Sequence, residues 1–376
     1  GYEVIGLFMR NWDIRDEQGL CSTDPDKEDA QFVCDRLKIP LYEVNFVKEY
    51  WNHVFSGFVR DYQRGIIPNP DILCNKYIKF GAFFDYAMEK FQPDAIATGH
   101  YARTSFGENL ESVDPEKGAK LLKSKDEWKD QTFFLSQISQ KALQKSIFPL
   151  GDKLKTDVKK YAAEIGLEKI AKKRESMGIC FIGKRKFASF IEEYIVPQEG
   201  KFVHVETGEV LGHHEGVHHY TYGQNIRIPG MKCRFFVAEM DAKTQTIKAA
   251  PGTEHPSLYA ETFFTGEPYW INRPPRELLQ DQMCDMDFRF QKTCPVTPCT
   301  LTLSGGNTLI VSLPEPLRAL SPGQFSVFYS GEECLGSARI LRIGPSLYTL
   351  NYKKYQEEKS DIQGNDDNNS ISIDNI

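Results

Sequence analysis

The sequence predicts an α/β domain built on a parallel sheet, then a small central domain, then an antiparallel β-barrel. Three observations carry this reading. Through the first hundred residues, short apolar runs alternate with helical stretches, the pattern of a parallel sheet with crossover helices. Residues 131–194 read as mostly helical. From about Phe202 onward the pattern changes to short strands punctuated by Gly and Pro turns, as in a small barrel.

Residues 3–9 form an apolar run suited to a buried parallel strand. A helix is expected from Asp26 to Leu37, a second strand from Leu41 to Phe46, and an aromatic-rich helix from Lys48 to Tyr62. Phe80, Phe83, Phe84, Ala87, Met88 and Phe91 recur at the spacing of one helix face. Residues 95–98 then make a strand that ends at Gly99-His100. In open α/β sheets, sites form at the carboxyl ends of strands, and Met9, Gly99 and His100 all stand at such ends. Further on, residues 283–290 alternate as a half-buried strand does, and 325–329 with 334–341 read as a hairpin about Ser330-Gly331. The last residues, 361–376, are rich in Asn, Asp and Ser and are expected to be disordered.

At 40% hydrophobic and 26% charged residues, the composition is that of a globular chain. No apolar run approaches the roughly 20 residues of a membrane-spanning helix. The nine cysteines are odd in number and scattered, with no Cys-x-x-Cys, which argues against a disulfide framework or a structural zinc site and for a reducing compartment. The pairs His213-His214 and His218-His219 sit among expected strands with no Cys or carboxylate in register, so they read as non-metal residues. The net charge is −6, yet Lys123 to Lys186 holds 16 Lys+Arg against 8 Asp+Glu. A basic stretch of that kind can follow a phosphate backbone; taken alone, it reads equally as solvated helix faces.

Three segments concentrate the chemistry. In Pro68-Asn69-Pro70-Asp71-Ile72-Leu73-Cys74-Asn75-Lys76, the prolines hold an extended stretch until about Ile72, and Asp71 is placed to cap the helix that follows. Cys74 would lie in its first turn, where the helix terminus and Lys76 favour a thiolate. In Glu175-Ser176-Met177-Gly178-Ile179-Cys180-Phe181-Ile182-Gly183, glycines flank Cys180, and the cations Lys184, Arg185 and Lys186 follow. Each thiol, judged locally, reads first as a core cysteine. In Thr98-Gly99-His100-Tyr101-Ala102-Arg103, Gly99 permits close approach of a nucleotide and His100 can bond a phosphate or a base.

These segments resemble the tRNA-specific 2-thiouridylases, as do residues 8–13, Lys129-Asp130-Gln131-Thr132-Phe133-Phe134-Leu135-Ser136 and Ala319-Leu320-Ser321-Pro322-Gly323-Gln324-Phe325. The motifs run in order to about Leu350, and the wording is closest to the mitochondrial members from animals, including residues 147–151 and 341–346. The resemblance implies an ATP-pyrophosphatase, adenine nucleotide α-hydrolase-like domain over residues 1–145. A central tRNA-binding domain over 146–255, a β-barrel over 256–355 and an acidic tail over 356–376 would follow. It implies that ATP, with Mg2+, adenylates O2 of the wobble uracil in tRNAs for Lys, Glu and Gln, and that a persulfide sulfur replaces the activated oxygen. Cys180 would carry the persulfide, Cys74 would release the sulfur, and a Cys74–Cys180 disulfide would result. Asp71 would act as general acid/base, with Asn69, Pro70 and Asp71 around a flipped uridine. Met9 and Gly99 would contact the adenosine. His100, Lys129, Asp130, Gln131, Arg289, Phe290 and Gln324 would meet tRNA. The expected partners are tRNA and a persulfide donor, either a cysteine desulfurase or a relay protein. The chain is expected to act as a mitochondrial monomer with no membrane contact.

Two departures accompany the resemblance. The family opens with a strand and a Ser-Gly-Gly-Val-Asp-Ser phosphate loop, whereas this sequence begins at Gly1-Tyr2-Glu3, which reads as a fragment lacking that loop and therefore a complete ATP site. Tyr222 and Asn225 stand where the family usually has Leu or Ile and Arg. Two other classes are consistent with parts of the pattern: another ATP-pyrophosphatase, such as an amide-forming ligase, and a tRNA-binding protein without catalysis.

Overall fold

The computed structural model describes residues 2–12, 24–114, 116–173, 178–179, 181–183 and 185–351. Strands Gly6–Arg10 and Leu41–Asn45 pair in parallel, joined through helix Asp24–Leu37. Ile96–Ala97 pairs in parallel with Ser146–Ile147. The parallel α/β character expected from the alternation is therefore present. The N-terminal unit also runs past residue 145, because 146–147 is one of its strands.

Two long helices cover these strands. One runs from Val47 to Gln63, the other from Pro70 to Phe91, and each passes through a π-helical stretch, Trp51–Phe55 and Cys74–Ala82. A π-turn carries an extra residue, so side chains beyond it are rotated about the axis. This splits the aromatic face expected at α-helical spacing. Phe80, Phe84 and Ala87 are buried in one core, whereas Phe83 packs against another with Cys74 and Phe46. Gly81 belongs to the π geometry: a Cβ there would lie 2.9 Å from the carbonyl oxygen of Lys76, five residues back. Gln92, at φ 49°, ends the second helix.

The stretch 131–194 is less helical than its composition suggests. It holds short helices at Thr132–Leu135, Gln140–Leu143, Lys155–Glu164, Glu168–Ala171 and Phe187–Ile191, separated by turns. Some of its basic residues are matched by carboxylates. Lys141 pairs with Asp85, Lys169 and Lys173 with Asp29, and Arg185 with Glu193. Asp29 and Asp85 lie far away in sequence, which is why counting charge within the segment overstated its free positive charge.

The central domain is a five-stranded sheet in the order 210–214, 200–204, 246–251, 235–241, 225–226. The last third is an antiparallel barrel of strands 259–265, 308–318, 297–304, 283–289, 325–330 and 333–343, closed by the pairing of Phe263 with Ile343. The N-terminal unit adds a hairpin to it. Arg103–Thr104 pairs with Leu121–Leu122, and the latter pairs with Glu333 and Cys334 of the longest-reaching barrel strand. The outer units thus share backbone hydrogen bonds, and a buried face of Leu121, Phe133, Val327 and Tyr329 seals the joint. Among the described residues, no helix is long and apolar enough to cross a membrane.

Candidate active site

The helix that carries Cys74 starts two residues earlier than its sequence suggests. Asn69, not Asp71, is its N-cap: Asn69 Oδ1 accepts from the amide of Ile72 at 3.3 Å, and Pro70 occupies the first helical position. Pro70 has the right φ for that place and no N–H to leave orphaned, so it opens the helix rather than delaying it. Asp71 consequently sits in the first turn, and Cys74 lies in the second. Cys74 is buried, at 5% exposure. The ammonium of Lys76, expected to aid it, instead donates to Gln137 Oε1 at 2.9 Å and lies 5.0 Å from the ring of Tyr269.

Asp71, Asn75 and Lys79 recur every four residues along this helix. Burial pushes the Asp71 carboxyl up from its ordinary range, and the charge of Lys79 opposes that rise. Asn75 is buried; its Nδ2 donates to the Asp71 carbonyl at 3.0 Å, and its Oδ1 is buried without a hydrogen-bond partner. Lys79 Nζ lies 3.5 Å from His100 Nε2, and His100 Nδ1 lies 2.9 Å from Thr98 Oγ1. Burial, and next the Lys79 charge, hold His100 well below its usual value, so the ring is neutral. An ammonium only donates, so it requires the lone pair on Nε2 and leaves the proton on Nδ1, facing Thr98. Lys79 and Asn75 were not among the residues singled out from the sequence. Their four-residue spacing from Asp71 was the signal that could have found them.

The Pro68-Asn69-Pro70 turn is gripped by the barrel. Gln324 Nε2 donates to the carbonyls of Ile67 and Pro68 at 3.1 Å each, and Gln324 Oε1 accepts from Asn69 Nδ2 at 3.2 Å. The Ile67 amide donates to Pro322 O at 3.0 Å. Gly323, at φ +94°, lets the two backbones touch: a Cβ there would sit 2.7 Å from Ile67 O. Arg339 of the barrel also pairs with Asp61. Gln324 therefore spends its side chain inside the protein.

The remaining expected residues separate into two groups. Met9 is half-buried at the end of its strand, and Gly99 is exposed; a Cβ there would lie 3.8 Å from Leu150 Cδ1, in ordinary contact. These are the strand ends at which the resemblance places a nucleotide. Among the described residues no three His, Cys, Asp or Glu side chains converge as metal ligands. Asp130 is buried and serves the loop that bears it, accepting from Ser124 N at 3.0 Å and from Thr132 Oγ1 at 2.7 Å, with burial raising its carboxyl. Gln131 exchanges hydrogen bonds with the backbone of Tyr101 at 2.8 and 2.9 Å. Phe290 is a core residue. Lys129 and Arg289 stand half-buried at the surface beside them.

Cys180 lies outside the described residues, as do Glu175, Ser176, Met177 and Lys184. The pairing of Cys74 with Cys180 is therefore not defined by the structure. Its neighbour Phe181 is fully buried, at 5.1–5.8 Å from the rings of Trp12, Tyr50, Phe55 and Phe58, and shares one continuous core with Cys74. Arg185 donates to the carbonyls of Phe181 and Ile182, fixing the turn after Cys180. Tyr222, one of the two departures, lines a 660 Å³ cleft between the central domain and the barrel, where burial pushes its hydroxyl up to about 12.

The chain is 48% identical to the chicken (Gallus gallus) mitochondrial tRNA-specific 2-thiouridylase 1 over 96% of this chain and 92% of that protein. It belongs to the tRNA-specific 2-thiouridylase family. The human (Homo sapiens) mitochondrial tRNA-specific 2-thiouridylase 1 is 48% identical, over 93% of this chain and 87% of its own length. The Drosophila melanogaster protein of that name is 49% identical, over 92% and 89%. Residues 1–184 match a tRNA methyl transferase HUP domain, 188–250 a tRNA methyl transferase PRC-barrel domain, and 260–340 an aminomethyltransferase beta-barrel domain. The three matches follow the parallel, central and barrel units of the structure. The helix from Pro70 carries the Asp71 carboxyl, the Cys74 thiol and the Lys79 ammonium within ten residues.

Proposed function

We propose that this chain is a mitochondrial tRNA-uridine 2-sulfurtransferase that thiolates the wobble uridine of tRNAs of the Lys, Glu and Gln type, using ATP to activate uracil O2. The observation that carries the reading is that Asp71 and Cys74 are three residues apart on one helix, with Asn69 and Pro70 at its mouth and Phe181, the neighbour of Cys180, packed into the same core as Cys74. A carboxyl raised by burial suits general acid/base work on a base held at that helix start. Exposed Gly99 and half-buried Met9, at or just past the ends of their strands, are the residues offered to the nucleotide.

The chemistry balances with two thiols. The terminal sulfur of a Cys180 persulfide bonds to C2 of the activated uracil, and AMP departs with the former O2. The Cys74 thiolate then attacks Sγ of Cys180 and breaks the S–S bond to the transferred sulfur. That bond's electron pair leaves on the 2-thiouridine, and a Cys74–Cys180 disulfide remains for an external thiol to reduce. The persulfide comes from a cysteine desulfurase or a relay protein.

The test is thiolation of tRNA by the full-length gene product with ATP, Mg2+ and a persulfide donor, read as retardation in a mercury-containing gel. Cys74→Ser and Cys180→Ser each abolish the shift. Full activity of either variant refutes the assigned roles, and tRNA binding with no thiolation favours a non-catalytic role.

A further inference from the structure

Trp128 is 88% exposed, the most exposed large apolar side chain in the described structure. A tryptophan left that bare forgoes a large burial gain, and so needs a reason. It does not sit on a loose loop. Asp126 accepts from the amides of Lys129 at 3.2 Å and Lys155 at 2.9 Å, and its carbonyl accepts from Ser124 Oγ at 2.8 Å. Asp130, buried, accepts from the Ser124 amide and closes the other side. The turn 124–130 is therefore braced from within, and the indole is presented on a fixed base.

Its surroundings are cationic and come from two units. Lys292 of the barrel donates to the carbonyl of Trp128 at 2.6 Å. Lys129 and Arg289 are close enough to Lys292 that their charges, after burial, lower its basicity. Arg289 Nε is buried without a hydrogen-bond partner, and the Asp130 carboxylate lies 3.9 Å from its guanidinium. Lys129, Lys292 and Arg289 thus stand together beside the carboxylates of Asp130 and Asp126, three cations to two anions. A flat aromatic beside such a cluster offers both things an unpaired nucleotide presents, a π-face and a phosphate.

We propose that Trp128 is a stacking platform for one unpaired nucleobase of the bound RNA, whose backbone phosphate is received by Lys129, Lys292 and Arg289. This rests on the reading that tRNA is the substrate. The platform requires no base-specific hydrogen bond, so it positions the RNA without selecting its sequence.

The experiment is tRNA titration of the full chain, followed by filter binding and by indole fluorescence. The four tryptophans are Trp12, Trp51, Trp128 and Trp270, so the Trp128 contribution is the difference between wild type and Trp128→Phe. The expected result is quenching of the Trp128 component by tRNA. Trp128→Ala should weaken binding roughly 5- to 150-fold, with Trp128→Phe in between. Lys292→Gln should also reduce the salt dependence of binding. Wild-type tRNA binding with unquenched Trp128 and an unaffected Ala variant overturns the platform and leaves the tRNA reading intact. A Trp128→Ala change in sedimentation with unchanged tRNA affinity overturns it in favour of a protein contact. Failure of the wild type to bind tRNA removes both.

Discussion

Gln324 is the residue through which the barrel sets the geometry of the candidate base site, and Gln324→Leu is the sharpest test of that. The substitution keeps the side-chain volume and removes three hydrogen bonds, one from Asn69 Nδ2 and two to the carbonyls of Ile67 and Pro68. A neutral hydrogen bond contributes about 1 kcal/mol net, and a buried partner left unpaired costs more. Ile67 is 7% exposed, so its carbonyl recovers little from water. The junction should lose about 2–3 kcal/mol, felt locally rather than as global unfolding. The reporter is the Ile67 amide, which donates to Pro322 O across this junction. Its hydrogen exchange should accelerate roughly 30- to 150-fold, and thiolation should fall with it. Gln324→Glu, which keeps an acceptor for Asn69 but sets a carboxylate oxygen against both carbonyls, should be at least as damaging. If Ile67 exchange in the Leu variant stays within about twofold of wild type, the positioning argument is wrong.

Three other outcomes follow from the same structure. Asp71→Asn should cut thiolation by about 100-fold or more, as loss of an acid/base group does. It should leave stability at neutral pH equal or higher, because a carboxyl whose pKa is raised by burial is held ionised there at a cost; a large drop in urea midpoint would contradict this. The second concerns acid. Burial, then the charges of His219 and His214, press His218 down to about 4, and burial lowers His214 and His100 as well. The folded values lie below the unfolded 6.5, so the unfolded chain takes up more protons between the two. Stability is full above pH 6.5 and is lost as pH falls toward 4; His218→Gln should flatten that profile, and an identical profile would refute the assignment. The third is thiol labelling by an alkylating reagent in native conditions. Exposed Cys233 should react, whereas Cys299 and Cys334, whose thiols burial pushes far up, should stay silent until denaturant is added.

Much of the fold was readable because it rests on local period. The strands at 6–10 and 41–45, the helix after Asn69 and the hairpin 325–330/333–343 follow from apolar spacing and turn residues. The errors have identifiable causes. Two prolines suggest a delayed helix with Asp71 as its cap, yet Pro70 at the first helical position makes Asn69 the cap. The aromatic face was read at 3.6 residues per turn, and the π stretch at Cys74–Ala82 divided it between two cores.

The sequence by itself determined which residue types could do sulfur and acid–base chemistry and where the apolar strands end, since those depend on residue type and on neighbours a few positions away. Only the tertiary structure decided how each is spent. It desolvated Asp71, set Lys79 against His100, turned Gln324 and Asp130 inward, paired Lys173 with Asp29, and left Trp128 bare. Several of those outcomes join atoms far apart in the chain: 21 residues separate Lys79 from His100, and 255 separate Asn69 from Gln324. Burial and long-range charge have no local period for a sequence to display.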